Sequence, residues 1–191
     1  MAASLGAHEV MELHEILTKT IDGINHFQLY RPHVKDQQLG TILDNQLRFM
    51  IQEYNNMVQA VSQQGRSESI PYRTIKNVSP TYGLKSPLPQ APNTSANELD
   101  DRDVASGMLG FHKASATLKM IGALEMADPS LRRMMQQSAI NCSEQAYETW
   151  SYMNQKGYYQ VPTMKDMTTQ TMINGFTATN MGQMGQMGQM S

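Results

Sequence analysis

The stretch DPSLRRMMQQSAINCSEQAYETWSYMNQKGYY, residues 128–159, decides the fold of this chain. Asp128 suits a helix N-cap, Pro129 suits the first helical position because no backbone N–H is needed there, and Gly157 marks the C-terminal end. Between these ends, apolar or small residues recur every three or four positions: Leu131, Met135, Cys142, Ala146, Thr149 and Met153. The pattern predicts a helix over 129–156, roughly 42 Å long at about 1.5 Å per residue, which needs long neighbours.

Two more helices are predicted before residue 65. The first covers about 8–30 and ends before Pro32, with an inward side formed by Val10, Leu13, Leu17, Ile21, Ile24 and Phe27. The second covers about 36–64, with Asp36 as N-cap and Gln64-Gly65 at its end. Its apolar seam follows heptad spacing for about three heptads: Leu43, Leu47, Met50, Tyr54, Met57 and Val61.

A further helix is predicted over about 101–126. Its inward residues are Val104, Met108, Phe111, Leu118 and Ile121. Small residues along it permit close approach to a neighbour: Ala105, Gly107, Gly110, Ala114, Ser115 and Gly122. Four helices with these sides predict a bundle over residues 8–159 with an apolar interior.

The connections between the helices predict the topology. Residues 31–35 and 127–128 are short links, whereas residues 66–100 are rich in Pro, Ser and Asn and show no helical period. One long crossover between helices 2 and 3 is typical of the ferritin-like four-helix bundle. We therefore predict an all-α, ferritin-like bundle followed by an irregular tail over residues 160–191.

Composition excludes several classes of function. The net charge of −2 and the absence of a cluster of basic and aromatic residues argue against a nucleic-acid partner. No apolar run is long enough to span a membrane, and the N-terminus lacks the pattern of a signal peptide, which predicts synthesis in a cytoplasm. The single cysteine, Cys142, excludes an intramolecular disulfide framework.

The sequence gives little support for a catalytic site or a metal site. A two-metal site in such a bundle needs Glu-x-x-His pairs, and no glutamate is followed three residues later by histidine. His8 with Glu12 and Glu15 could hold a metal ion near a helix end, or form a solvated acidic first turn. His112 could be a ligand, but a place on the helix surface or hydrogen-bonded in the core is favoured. We predict no enzyme and no cofactor.

Residues outside a catalytic role are candidates for assembly. Cys142 is predicted to be an inert buried thiol, with a cross-link to another molecule as the alternative. Tyr158 and Tyr159 are expected to pack back on the helix ends. The tail ends in Met-Gly-Gln units, in which glycine at every third position opposes a helix. It is either disordered or a self-association segment built on Met181, Met184, Met187 and Met190.

The corner at 128–132 and the ending Tyr-Met-Asn-Gln-Lys-Gly-Tyr-Tyr at 152–159 resemble the coat F domain of bacterial spore coat proteins. The resemblance implies a ferritin-like bundle made in the mother-cell cytoplasm and laid down in the endospore coat, with itself and other coat proteins as partners. Family members often carry inward Glu and His residues that look like metal ligands. This chain departs from them, with His112 where glutamate is typical and Asn141-Cys142 where Glu-His is typical.

Three functions follow from this pattern. The first is a structural coat protein that assembles with itself and with other coat components. The second is a ferritin-like metal-binding oxidase or catalase. The third is an interaction adaptor whose crossover and tail recruit a partner without forming a lattice.

Overall fold

The computed structural model describes residues 5–63, 69–74 and 79–179. Five α-helices lie within them: α1 Ala7–Tyr30, α2 Gln37–Gln63, α3 Asp101–Glu125, α4 Pro129–Gln155 and α5 Asp166–Ile173. Over these residues there is no extended strand, and Val161 forms isolated bridges with Tyr82 and Gly83. The prediction of an all-α fold is confirmed.

Local signals in the sequence fix the helix ends. Asp128 Oδ1 accepts hydrogen bonds from the backbone N–H groups of Ser130 and Leu131, both at 2.8 Å. Asp36 and Asp100 act in the same way at the starts of α2 and α3. Beyond α4, Gly157 has a φ of +74°, a left-handed conformation that glycine adopts without strain.

Contacts between α2 and α3 give the topology. His112 bonds Gln46 and Lys119 bonds Glu53, and both pairs are 66 residues apart, so the two helices run in the same direction. The N–H groups of Lys35 and Asp36 also donate to Asp101 Oδ1, which places both helix starts at one end. The chain must therefore return along the bundle between α2 and α3.

Glu9 fixes the opposite end of the bundle. Its side chain accepts hydrogen bonds from the N–H groups of Gly6 at 2.6 Å and Asp128 at 2.8 Å, which joins the starts of α1 and α4. The bonds from Asp128 and Gly6 hold the pKa of Glu9 below its ordinary value. Each of α1 and α4 packs against both α2 and α3.

Two apolar clusters occupy the two halves of the bundle. One surrounds Phe27, Leu43 and Met108, near the starts of α2 and α3. The other surrounds Ile16, Met57 and Met135, near the starts of α1 and α4. The predicted inward residues of α4, Leu131 to Met153, are all buried.

The inward sides of α1 and α3 differ from the prediction. Val10, Ile21 and Ile121 are exposed, whereas Ile16, Thr20 and Gly23 of α1 face the core. Helical spacing fits two neighbouring sides of α1 equally well, and the side with small residues is buried because the Phe111 ring lies against Gly23. Ala114 is also exposed, and a Cβ atom at Gly110 would meet nothing within 4 Å, so neither residue permits a close helix contact.

The tail is not entirely irregular, because it contains α5, which the sequence pattern did not predict. α5 has no buried residue. The predicted end of helix 2 at Gln64-Gly65 and the Met-Gly-Gln units lie outside the described residues. Of the helices that are described, none is long and apolar enough to cross a membrane.

Candidate functional site

Polar side chains separate the two apolar clusters, so the prediction of an apolar interior is wrong. They come from three helices and are buried at mid-height: Gln46 and Glu53 of α2, His112, Ser115 and Lys119 of α3, and Ser138, Asn141, Gln145, Glu148 and Thr149 of α4. Burying a polar group is costly unless it finds a hydrogen-bond partner, and within the described residues Ser115, Ser138 and the Gln145 amide find none. This polar layer is therefore the part of the bundle in which specific chemistry is concentrated.

An ion pair forms one half of the polar layer. Lys119 Nζ lies 2.8 Å from Glu53 Oε2, and both side chains are only 5% exposed. Burial opposes the charged form of Lys119, but the Glu53 carboxylate beside it holds its pKa above the ordinary value. Burial also raises the pKa of Cys142, which keeps its thiol protonated and unreactive.

Asn141 joins this ion pair to the long connection. Its Nδ2 donates to Glu53 Oε1 at 2.7 Å and to the carbonyl of Ile70 at 3.0 Å. Its Oδ1 accepts a hydrogen bond from the N–H of Tyr72 at 2.9 Å. One amide side chain thus ties α2, α4 and the connection together.

A hydrogen-bonded chain forms the other half of the layer. Gln46 Nε2 donates to Glu148 Oε2 at 2.9 Å, and the Tyr72 hydroxyl donates to the same oxygen at 2.5 Å. Gln46 Oε1 lies 2.9 Å from His112 Nε2, so that nitrogen carries the proton of a neutral ring. Burial, with help from Lys119, lowers the pKa of His112 to about 3.

Three amide side chains hold the connection against the bundle. Asn154 donates to the carbonyl of Thr81 at 3.0 Å and accepts from its N–H at 2.7 Å. Gln160 does the same with the carbonyl and N–H of Lys85. Together with Asn141, these residues replace the backbone partners that an extended segment would find in a sheet. We call residues 69–74 and 79–85 the strap.

A surface cleft lies where the strap meets the end of α4. Its volume is about 700 Å³, and Lys85, Arg102 and Tyr158 are among the residues that line it. Lys156, another lining residue, is paired with Asp36 at 2.6 Å. In the cleft the Arg102 guanidinium lies over the Tyr158 ring, 6.0 Å from its centroid.

The residues present do not fit a two-metal carboxylate site. Such a site takes a carboxylate from each of two helices and a Glu-x-x-His pair from each of the other two. At mid-height α2 offers Gln46 and Glu53, and Lys119 already supplies the positive charge that balances Glu53. In the described part of the chain, no three His, Cys, Asp or Glu side chains form a group that could hold a metal ion.

The residues near the start of α1 that were candidate metal ligands do not form a site either. His8 lies 3.7 Å from Glu125 of α3, and His14 lies 3.7 Å from Glu15. The structure does not bring His8, Glu12 and Glu15 together as one site. The acidic residue with a defined role there is Glu9, which bonds the backbone.

The predicted assembly residues fall in three places. Cys142 is buried, so a cross-link to another chain would require the bundle to open. Tyr158 packs against the apolar cluster around Phe27, whereas Tyr159 is exposed and packs against Trp150. Met181, Met184, Met187 and Met190 lie outside the described residues.

Sequence reasoning missed the polar layer, although a signal existed. Leu39, Gln46 and Glu53 follow heptad spacing on α2, as His112 and Lys119 do on α3. Polar residues at buried heptad positions of two helices indicate that they pair. The fold and the polar layer thus define a helical-bundle protein in which a buried ion pair and several core amide side chains bind each other and the strap.

Comparison with known proteins places this bundle in a family. Residues 100–162, which hold α3, α4 and the turn after them, match the Coat F domain. Over 173 residues the chain is 32% identical to the spore coat protein F-like protein YhcQ of Bacillus subtilis (strain 168), covering 90% of this chain and 80% of that protein. No solved structure matches the chain. The chain belongs to the spore coat protein F-like family, which confirms the resemblance seen in its sequence.

Proposed function

We propose that this protein is a structural component of the bacterial endospore coat. It is made in the mother-cell cytoplasm and laid down in the spore coat, where it assembles with itself and with other coat proteins. The observation that carries this proposal is the similarity to a spore coat protein F-like protein over most of both chains. The ferritin-like arrangement of the bundle and the division into a bundle over 8–159 and a tail over 160–191 belong to the same proposal.

The structure supports a building-block role through its interior. A buried ion pair and several hydrogen bonds of amide side chains link α2, α3, α4 and the strap at fixed positions. Such links specify one arrangement, since any shift leaves a buried polar group without a partner. A rigid unit is what a layer built from many copies requires.

The exterior offers surfaces for assembly. Large apolar side chains are exposed on several helices, including Leu29 of α1, Leu124 of α3 and Tyr147 of α4. In α5 and around it, Met164, Met167, Ile173 and Phe176 are all exposed. These exposed side chains are available for contact with other molecules in an assembly.

We propose no catalytic activity. The one thiol in the core is kept protonated, and His112 and Asn141 are held by hydrogen bonds to Gln46 and Glu53. No specific observation favours the metal-binding oxidase over the structural protein. The third candidate, an interaction adaptor, can be distinguished from a structural coat protein by experiment. It predicts a discrete monomer or dimer rather than a growing assembly.

The localisation is tested by a fluorescent fusion in a sporulating host together with extraction of purified spore coats. We expect fluorescence around the forming spore and the protein in the coat extract. A fusion that stays dispersed in the mother cell, with no protein in the coat extract, contradicts a coat function.

The role of the tail in assembly is tested by deleting residues 163–191, which include α5. We expect the shortened chain to keep the helical signal of α1 to α4 and to lose large assemblies, as measured by circular dichroism and light scattering. A shortened chain that assembles as the full chain does removes the tail from the mechanism.

A further inference from the structure

Three aromatic rings form a continuous row on the outside of α4. The rings of Tyr147 and Trp150 are stacked at 5.5 Å between centroids, and Tyr159 meets Trp150 edge-on at 6.3 Å. Lys113 Nζ lies 5.1 Å from the centre of the Tyr159 ring and closes the row at that end. We call Tyr147, Trp150 and Tyr159 the aromatic row.

The aromatic row is open to solvent. Tyr147 is 45% exposed and Tyr159 is 40% exposed, while Trp150 is half-buried against the apolar cluster around Phe27. Exposed aromatic rings held rigidly by their neighbours are enriched where proteins bind one another. The row therefore has the character of an acceptor for an apolar segment.

The tail of this chain has the matching chemistry. Its Met-Gly-Gln units carry no charge and place thioethers at regular intervals. A methionine sulfur near the edge of an aromatic ring contributes about 0.3–1.5 kcal/mol, and its flexible side chain adapts to irregular surfaces. The absence of charge also avoids conflict with Lys113 at the end of the row.

The spacing of the methionines along the chain lets two of them reach neighbouring rings. Successive methionines are three residues apart, and three residues of chain span at most about 10 Å. The two centroid steps of 5.5 and 6.3 Å limit the distance from Tyr147 to Tyr159 to about 12 Å. Two successive methionines can therefore reach two neighbouring rings of the row, whose centroids lie 5.5 or 6.3 Å apart.

The segment that leads to the tail points to a second molecule as the acceptor. Met167 of α5 is 79% exposed and Phe176 beyond it is 87% exposed, so this segment is not packed on its own bundle. We propose that residues 181–190 of one molecule bind the aromatic row of a second copy, with methionine side chains against the ring edges. This deepens the proposed function, on which it rests, by naming the surface used in self-assembly.

The geometry of such a contact predicts open growth. The donor and acceptor are different surfaces of the same chain, so each bound molecule still offers a free tail and a free aromatic row. A contact of this kind does not close on itself unless a ring forms, and it produces chains or fibres.

The test uses Trp150, the single tryptophan of the chain, as the reporter. The acceptor is the full chain with Met181, Met184, Met187 and Met190 each changed to Gln, so that its own tail does not compete. A synthetic peptide of residues 180–191 is titrated into it while Trp150 fluorescence is recorded. We expect a saturable change, at least tenfold weaker in affinity when the peptide carries Gln in place of Met.

Two acceptor variants complete the test. Tyr147→Ser with Tyr159→Ser should abolish the response, whereas Leu124→Ser, an exposed apolar residue of α3, should leave it unchanged. No saturable change, or an equal response to the Gln peptide, overturns the proposal. If full-length molecules still assemble in that case, the tail contact is wrong while the assembly function stands.

The choice between a second copy and the same molecule is tested by dilution. Trp150 fluorescence of the unmodified chain should approach that of the Met→Gln acceptor as the protein is diluted. A difference that persists at every concentration shows that the tail binds its own bundle, which overturns the intermolecular contact.

Discussion

Lys119 carries its charge inside the bundle because Glu53 lies 2.8 Å away and Asn141 bonds the other oxygen of that carboxylate. A buried charge without a partner costs several kcal/mol, so neither residue is tolerated alone. The pair adds little stability compared with two apolar residues, but it fixes how α2 and α3 are aligned.

Lys119→Met tests this dependence. The change leaves Glu53 buried without its cation, so we expect the free energy of unfolding in urea to fall by about 3–5 kcal/mol. Lys35→Met, at an exposed position, should change it by less than about 0.5 kcal/mol. The double variant with Glu53→Leu should recover at least half of the loss. If Lys119→Met and Lys35→Met lowered the free energy of unfolding equally, the Lys119–Glu53 pair would not be buried in solution.

His112 makes stability depend on pH. Its pKa is lowered to about 3 in the folded chain and is about 6.5 in an unfolded one. Between these values the unfolded chain binds one more proton, so stability is complete above about pH 6.5 and is lost as the pH falls. The slope is about 1.4 kcal/mol per pH unit.

His112→Gln should remove this slope, because glutamine keeps a donor for Gln46 and takes up no proton. We expect the free energy of unfolding to fall from pH 6.5 to pH 5 in the unmodified chain and to stay nearly level in the variant. His14→Gln, whose side chain is 77% exposed, should behave like the unmodified chain. If His112→Gln kept the original dependence of the free energy of unfolding on pH, the acid sensitivity would come from other groups.

The helices pack closely where glycine removes a side chain. The Phe111 ring occupies the space that a Cβ atom at Gly23 of α1 would need. At Gly107 of α3, an added Cβ would lie 2.7 Å from the Tyr30 hydroxyl. These positions bring α1 and α3 together, whereas Gly110 contacts no neighbour.

Gly23→Ala and Gly110→Ala form a matched pair, since both lie inside helices. We expect Gly23→Ala to lower the free energy of unfolding by about 1–3 kcal/mol through overpacking. Gly110→Ala should raise it by up to about 1 kcal/mol, because alanine favours a helix and meets nothing there. Melting temperatures that move in the same direction would contradict this packing.

The elements could be predicted from sequence where the signals are local. Asp128, Pro129 and Gly157 mark the ends of α4 without help from the rest of the chain. The buried side of α1 could not be predicted from the sequence, because its apolar residues cover two neighbouring sides of the helix. Which side is buried depends on the Phe111 ring of α3, which packs against Gly23. α5 lacks capping by a side chain and buries no residue, so its sequence carries only a weak pattern.

The polar layer depends on partners that are distant in the chain. Glu53 and Lys119 are 66 residues apart, and each alone has the character of a surface residue. Asn141 and Asn154 likewise gain their role only when the strap reaches them. Helical spacing predicts which residues share a side, but it does not predict which side chains from another segment will meet them.

At the scale of the whole molecule, the chain combines a fixed interior with exposed apolar surfaces. The Coat F match covers α3, α4 and the turn that carries Tyr159, so it includes the whole aromatic row. Rigid units joined through a donor segment of the chain suit a layer that grows by addition of identical copies. Self-assembly of the folded chain is the central claim that connects these features.

The measurement that tests this claim most directly is the size distribution of the purified full chain at low salt, by sedimentation velocity and electron microscopy over a wide range of concentrations. We predict species that grow with concentration and fibres or sheets in the images. A single species with the mass of one chain or of one dimer at every concentration would contradict self-assembly.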